Sequence, residues 1–235
     1  MTALRTMLRW DYQLLLRSHF VVATVLTTAF LCGAAALIPV DPLPAKLVAT
    51  LIFLDPAVIG MTFVGAFVLL EKGAHTLSAL GVSPLRARDY VASKIIAFSS
   101  LGAVGGLIVA LVARGLALNI PLLLAMLLLS NVVAVEIGFL LVARSRSVNG
   151  FLRNSIIASF ALAAPLAGFW GAAPPLVDLA LMAVPSYAML VAFEAGVSGP
   201  SVAAAVSAVY LAALAVVLWC MCLRDYEGRL VRSGL

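Results

Sequence analysis

Of the chain's 235 residues, 64% are hydrophobic and only 11% are charged. A soluble fold of this size cannot bury so much apolar side-chain surface, so the composition excludes a water-soluble protein and predicts an integral membrane protein. The formal net charge of +5 does not require a nucleic-acid partner, because basic loops that orient a membrane protein and contact anionic lipid account for it.

Six apolar runs are each close to the roughly 20 residues that a helix needs to cross a bilayer. These runs are residues 20–40, 47–70, 95–113, 120–143, 155–171 and 201–223. They predict an all-α integral membrane protein with six spans, the second of which is expected at residues 56–71. The stretches between these runs are too short to bury a core of their own. We therefore expect residues 1–235 to form a single transmembrane domain.

The basic residues predict how these spans are oriented. Thirteen of the 15 Lys and Arg residues lie before the first span, between the second and third, between the fourth and fifth, or after the last. Only Lys46 and Arg114 lie in the alternate loops. Because the side richer in Lys and Arg is cytoplasmic, we expect a multi-pass protein of the cell (plasma) membrane with both termini in the cytoplasm.

Residues 3–18 have the pattern of a separate helix that lies in the cytoplasmic interface. One side of this helix is polar and the opposite side is apolar, with Arg5, Arg9, Gln13 and Arg17 on the first and Leu4, Met7, Leu8, Tyr12 and Leu15 on the second. Ser18-His19 predicts a break before the first span. The alternative is that residues 3–18 are the solvated start of that span.

Asp55-Pro56 lies inside the second apolar run and admits two interpretations. Asp is a favourable N-cap and Pro a favourable first helical residue, which would start the span at Pro56 and leave residues 43–54 as an outer interfacial or re-entrant piece. The other interpretation is an intramembrane carboxylate that marks an ion or substrate path. We expect the cap.

The inner loop after the second span has the signals of a compact helical turn. Ala74–Leu80 is a short helix candidate that Gly81 would end. Ser83-Pro84 then provides a cap and a first helical residue for the next helix. Residues 72–84 are therefore expected to form a short rigid connector between two spans.

Two features inside the third and fourth spans indicate helix packing. Gly102 and Gly106 form a small-xxx-small pattern that allows close approach of helices, within or between subunits. Glu136 is an intramembrane acid, and a helix–helix hydrogen bond is its expected role. The alternative for Glu136 is contact with a substrate or a proton.

The segment 172–200 is too apolar for a flexible loop and too interrupted by Pro174, Pro175 and Pro185 to cross the membrane. Two short broken helices that dip into the outer leaflet, as a re-entrant region, fit it best. The three cysteines have neither the count for a disulfide framework nor the spacing for zinc, so no metal site is expected.

The inner loop and the helix after it resemble a known family. The pattern Glu71-Lys72, Thr76, Leu80, Ser83-Pro84-Leu85, Tyr90 and Lys94 resembles the membrane subunits of ABC-2 type exporters. It is most similar to the short drug-export permeases of the fluoroquinolone-exporter kind. Asp55 and the run from Pro185 to Glu194 also look like that group, whereas Glu136 is not part of its pattern.

The resemblance implies that the inner loop is a coupling helix that docks into a groove of an ATPase subunit. The residues implied in that contact are Glu71, Lys72, His75, Thr76, Leu77, Leu80, Ser83 and Pro84. The resemblance also implies an outer gate at Asp55, Pro185, Tyr187, Phe193 and Glu194. A basic loop that merely obeys the orientation rule would explain the arginines, but not the Gly81 stop or the Ser83-Pro84 start.

This chain is not expected to be an enzyme. A nucleotide-binding P-loop needs Gly-x-x-x-x-Gly-Lys followed by Ser or Thr, and none of the three lysines, Lys46, Lys72 and Lys94, has that context. We expect no cofactor on this chain, with ATP and Mg²⁺ on a partner ATPase subunit. Six short spans are half of a usual permeation unit, so a second permease subunit, identical or related, is also expected.

The expected function is export of an amphipathic, drug-like small molecule. Five aromatic residues and one acid are expected to line the substrate path: Phe63, Phe67, Glu136, Phe160, Phe169 and Trp170. Export of a lipid, haem or glycan is an alternative, and so is an ion-coupled secondary transporter that uses Asp55 and Glu136. A rhomboid-like protease is rejected, because Ser198 of Gly196–Gly199 and the only histidines, His19 and His75, are predicted on opposite sides.

Overall fold

The computed structural model describes residues 3–40, 42–74, 86–145, 147–171, 174–226 and 228. Within these ranges the regular elements are helices, which confirms the all-α prediction. In chain order they are α1 (Ala3–Arg17), α2 (His19–Leu37), α3 (Ala45–Gly73), α4 (Ala87–Arg114), α5 (Ile120–Ala143), α6 (Val148–Ala163), α7 (Pro165–Phe169), α8 (Pro175–Met182), α9 (Pro185–Ser198) and α10 (Val202–Asp225).

Five helical stretches in the described part of the chain are long and apolar enough to cross a membrane. They are α2, α4, α5, α10 and the combined stretch Val148–Phe169 of α6 and α7. By the same criterion the first part of α3, Ala45–Leu54, is a shorter apolar helix. The multi-pass character is therefore clear, and α3 as a sixth span stays a prediction.

The helix α3 overturns the predicted cap at Asp55. It begins at Ala45, directly after Pro44, and continues for 29 residues through Asp55-Pro56 to Gly73. A proline inside a helix removes one backbone hydrogen bond at a cost of about 3 kcal/mol. Tertiary packing offsets this cost, because Val48, Ile52 and Phe53 are fully buried in the bundle on the turns before the proline. Residues 45–54 are thus the start of α3 and not a separate re-entrant piece.

The centre of the bundle is formed by α3, α4 and α5, which pack against one another. Helices α9 and α10 cover α5, while α1 and α2 pack against α4. The buried side chains form two clusters, one towards each end of the bundle. One surrounds Ile52, Leu123 and Phe193, and the other surrounds Tyr90 and Phe139, near the end at which α1 lies.

Glycines allow the three central helices to approach closely. A Cβ atom added at Gly102 would lie 2.1 Å from Oδ1 of Asn131 on α5, and one at Gly106 would lie 2.6 Å from Cδ2 of Leu127. The Gly102–Gly106 pattern therefore serves packing within the subunit. Of the two locations that the sequence left open, the structure thus favours the one inside the protomer.

The helices near the two predicted interfaces are short or interrupted. Helix α1 ends at Arg17 and α2 begins at His19, on either side of Ser18. Helix α6 begins earlier than the predicted residue 155, because Oγ of Ser147 accepts a hydrogen bond from the Gly150 amide and caps it. Helices α8 and α9 occupy the segment predicted to hold two short helices, and their depth in a membrane stays a prediction.

Candidate functional site

A buried ion cluster joins three helices at the end of the bundle where α1 lies. Nζ of Lys94 on α4 donates to Oδ1 of Asp11 on α1 at 2.5 Å and to Oε1 of Glu71 on α3 at 2.6 Å. The exposed fractions are 0% for Lys94, 2% for Asp11 and 7% for Glu71. Taking such charges out of water costs several kcal/mol per ion, and only close pairing with further hydrogen bonds offsets that cost.

Each remaining polar group of the cluster has a partner. Oγ of Ser93 donates to Oδ2 of Asp11, and the Tyr90 hydroxyl donates to Oε2 of Glu71 at 2.5 Å. The Lys94 ammonium also lies 4.4 Å from the ring centroid of Phe67 and 4.9 Å from that of Tyr90. These contacts are favourable cation–π interactions. We call Asp11, Glu71, Tyr90, Ser93 and Lys94 the Lys94 cluster.

The residue after α10 closes the Lys94 cluster from one side. The ring of Tyr226 stacks on Tyr90, with centroids 4.7 Å apart and planes inclined by 28°. Burial, aided by the negative charge of Glu71, raises the pKa of Tyr226 to about 12, so its hydroxyl stays protonated at neutral pH. Nearby, Nε of Arg144 donates to Oδ2 of Asp225 at 2.7 Å and ties the end of α10 to the end of α5.

The Lys94 cluster connects the two helices that flank the predicted coupling region. Helix α3 ends at Gly73, two residues after Glu71, and α4 begins at Ala87, three residues before Tyr90. The Glu71 carboxylate binds inward, and Lys72 beside it is half-buried. The other residues implied in the ATPase contact lie outside the described residues: His75, Thr76, Leu77, Leu80, Ser83 and Pro84.

An apolar groove runs between α3 and α6. Its volume is about 340 Å³, and its lining is Phe53, Leu54, Ile156, Ser159, Phe160, Leu162 and Ala163. Phe160 is 75% exposed and is the one residue of the predicted aromatic path in this lining. The groove can accept an apolar or aromatic group without displacing a buried charge.

Comparison with known proteins identifies the family. The model of the fluoroquinolones export permease protein family matches residues 2–232. The chain belongs to this family. Two similar proteins are the fluoroquinolones export permease proteins of Mycobacterium tuberculosis strains CDC 1551 / Oshkosh and ATCC 25618 / H37Rv. Each is 30% identical over 174 residues, which cover 72% of this chain and 73% of the relative.

The predicted aromatic path of the permease is not assembled in one place. Phe67 is buried beneath Lys94 and packs edge-on against Phe98, with centroids 5.4 Å apart. Phe63 is half-buried against Phe20. Phe169 belongs to the core cluster at the other end of the bundle, so only Phe160 and the half-exposed Trp170 present an aromatic face outward.

The two cations predicted on the outer side of the permease bind backbone carbonyls. Nζ of Lys46 donates to the carbonyl of Phe169 at 3.0 Å, and Nη1 of Arg114 donates to that of Leu43 at 2.8 Å. Nε1 of Trp170 donates to Oγ1 of Thr50 at 3.2 Å. The start of α3 is therefore tied to the end of α7 by two hydrogen bonds.

The implied outer-gate residues of the permease occupy different surroundings. Pro185 begins α9, where Tyr187 packs edge-on against Phe169 and Phe193 is fully buried. Glu194 is half-buried. The Asp55 side chain lies outside the described residues. The structure thus brings Tyr187 and Phe193 into the core and leaves the gate itself a prediction.

Glu136 is 99% buried inside the permease, since its exposed fraction is 1%. Its Oε2 atom has no hydrogen-bond partner among the described residues. Its backbone carbonyl accepts a weak hydrogen bond from Sγ of Cys222 on α10, at 3.6 Å. Helices α5 and α10 are therefore joined here through the Glu136 backbone. No group of three metal-binding side chains occurs in the described part of the chain.

Sequence reasoning missed Asp11 and Ser93, and it gave Tyr90 and Lys94 no role beyond the family pattern. One signal was available for Asp11. On a helix it falls on the same side as Leu8 and Leu15, inside the apolar stripe that was expected to pack against the protein. A carboxylate in such a stripe requires a buried cationic partner.

Proposed function

We propose that this permease is the membrane-spanning subunit of an ABC exporter that moves an amphipathic, drug-like molecule out of the cytoplasm. ATP is hydrolysed by a separate subunit that binds ATP and Mg²⁺, and a second permease subunit completes the path. The relatives are named for fluoroquinolones, which makes a planar aromatic compound with ionisable groups the first substrate class to test.

The observation that carries this proposal is the ionic connection between the two ends of the coupling region. The bond from Lys94 to Glu71 holds the end of α3 to the start of α4 at 2.6 Å. Because the two ends of the loop are fixed to each other, a displacement of the loop moves α3 and α4 together. That property suits a docking site for an ATPase whose closure must move membrane helices.

The first test concerns the loop. We expect the double variant Leu77→Ala/Leu80→Ala to retain membrane insertion but to lose most substrate export, because the apolar contact with the ATPase is removed. The measurement is co-purification of the tagged permease from its native host, followed by fluoroquinolone export and ATP turnover in the purified assembly. Leu116→Ala is the matched control, since Leu116 lies in the α4–α5 loop and is 83% exposed.

Recovery of the permease without any nucleotide-binding chain would contradict the proposal. So would unchanged export by the Leu77→Ala/Leu80→Ala variant. Export that continues in vesicles lacking ATP would instead favour an ion-coupled secondary transporter, the alternative that the buried Glu136 carboxyl keeps open.

The second test concerns the substrate. We propose that the α3–α6 groove is the drug-binding face, because it is apolar and presents Phe160 at its rim. One aromatic contact contributes about 0.5–1.5 kcal/mol beyond its area, so Phe160→Ala should raise the half-saturating fluoroquinolone concentration by roughly two- to tenfold. Phe30→Ala is the matched control, since Phe30 on α2 is 74% exposed and does not line the groove.

Equal transport parameters for Phe160→Ala and Phe30→Ala would remove the groove from the drug path. Competition of a lipid, a haem or a glycan with fluoroquinolone export would identify one of those as the natural cargo. Both measurements leave the ATP-driven mechanism untouched, so the substrate and the energy source are tested separately.

A further inference from the structure

We infer that Lys94 is a positioning residue that makes α1 part of the moving unit around the coupling region, with Asp11 as the contact on α1. This inference rests on the proposed function and adds to it the residues that link the N-terminal helix to α3 and α4. Glu71, in turn, acts inward through Lys94 and not as a direct contact for the ATPase.

The first argument is that the buried polar contacts of α1 converge on Asp11. Asp11 and Leu15 are its only fully buried side chains, while Trp10 is 64% exposed. A further bond joins the Tyr12 hydroxyl to Oγ of Ser100 at 2.6 Å, in an exposed position. The bonds from Lys94 and Ser93 to Asp11 are thus the buried polar contacts between α1 and α4 in the described part of the chain.

The second argument is the character of a buried ionic contact. Separation of Asp11 from Lys94 would strand a charge inside the protein, a cost that apolar packing alone does not impose. The contact therefore fixes the register of α1 on α4. Because Lys94 binds Glu71 with the same ammonium group, α1, α3 and α4 share one attachment point.

The third argument is where α1 leads. Helix α1 is followed after one residue, Ser18, by α2, the first apolar helix of the bundle. A movement of the coupling region that carries α1 with it therefore reaches α2 directly. Without the Lys94 cluster, the same movement would reach α2 only through its packing against α3 and α4.

The test uses Asp11→Asn, which keeps the size of the side chain and removes only the charge of one arm. Spin labels at Arg9→Cys on α1 and Val104→Cys on α4, in a background with the native cysteines replaced, report the position of α1. We expect a broader distance distribution in the assembled exporter. We also expect roughly three- to tenfold fewer fluoroquinolone molecules exported per ATP hydrolysed, with ATP turnover retained.

The conservative variant Asp11→Glu keeps a carboxylate as the second partner of Lys94 and should recover part of both losses. Ser93→Ala removes one bond to Asp11 and provides a milder variant if Asp11→Asn does not accumulate. Arg144→Gln is the matched control, because it breaks an ion pair between α5 and α10 outside the cluster and should leave both readings unchanged.

An unchanged label distance in Asp11→Asn, or a changed distance with an unchanged export-to-ATP ratio, would overturn the inference and leave the proposed function standing. If the permease has no ATPase companion, the proposed function fails by co-purification. In that case, an unchanged label distance in Asp11→Asn would also refute the attachment of α1 to α4 through Lys94. A broader distance distribution would show that Lys94 holds α1 in place but has no part in coupling to an ATPase.

Discussion

Lys94→Met is expected to destabilise the permease by about 3–5 kcal/mol, because removal of one partner from a buried ionic group leaves an uncompensated charge. Two carboxylates, on Asp11 and Glu71, would then lie at most 7% exposed without their shared cation. The measurement is thermal or denaturant-induced unfolding of the purified protein in detergent. Lys72→Met is the control, since Lys72 is half-buried next to Glu71 and outside the cluster.

The neutral triple variant Asp11→Asn/Glu71→Gln/Lys94→Met separates pairing from packing. Replacement of a complete buried ionic group by neutral side chains of similar volume is often neutral or stabilising. We therefore expect the triple variant to regain most of the stability lost in Lys94→Met. Equal stability of Lys94→Met and the wild-type protein would mean that water reaches the cluster, and a triple variant as unstable as the single one would assign the loss to packing.

The overall class of the fold follows from physics that is local in sequence. A run of about 20 apolar residues is expected to be helical in lipid, because a helix satisfies the backbone hydrogen-bonding groups within the segment itself. The extent of α3 does not follow in the same way. Asp55-Pro56 is a good local start signal, and only the burial of Val48 and Ile52 against the rest of the bundle explains a helix that continues through it.

The Lys94 cluster shows why the site was harder to predict than the fold. Asp11, Glu71 and Lys94 come from three separate helices, and each has an ordinary explanation alone: an interfacial acid, a loop acid and a cytoplasmic base. Their burial becomes informative only when the three helices are placed together. The aromatic path was hard to predict for a related reason, since spans that are apolar on all sides carry no sequence signal for their rotation.

Gly138→Ala is expected to be the most damaging single-methyl change in the bundle, with a loss of about 2–3 kcal/mol in unfolding free energy. A Cβ atom at Gly138 on α5 would lie 2.1 Å from the backbone carbonyl oxygen of Met61 on α3. A backbone atom cannot rotate away as a side chain can. Helices α3 and α5 would have to separate, and the close packing around Val64 would be lost with them.

Two other glycines turn this into a graded experiment. A Cβ at Gly60, in the same α3–α5 interface, would meet its nearest neighbour at 3.5 Å, and one at Gly33 on α2 would meet nothing within 4 Å. Gly33→Ala should therefore stabilise the protein slightly, by about 0.5–1 kcal/mol, since alanine favours a helix over glycine. Gly60→Ala should be close to neutral. Equal unfolding free energies for Gly138→Ala and Gly60→Ala would show that α3 is not held rigidly against α5. The coupling region could then move α3 relative to α5, and the unit formed by α1, α3 and α4 would not depend on a fixed position of α5.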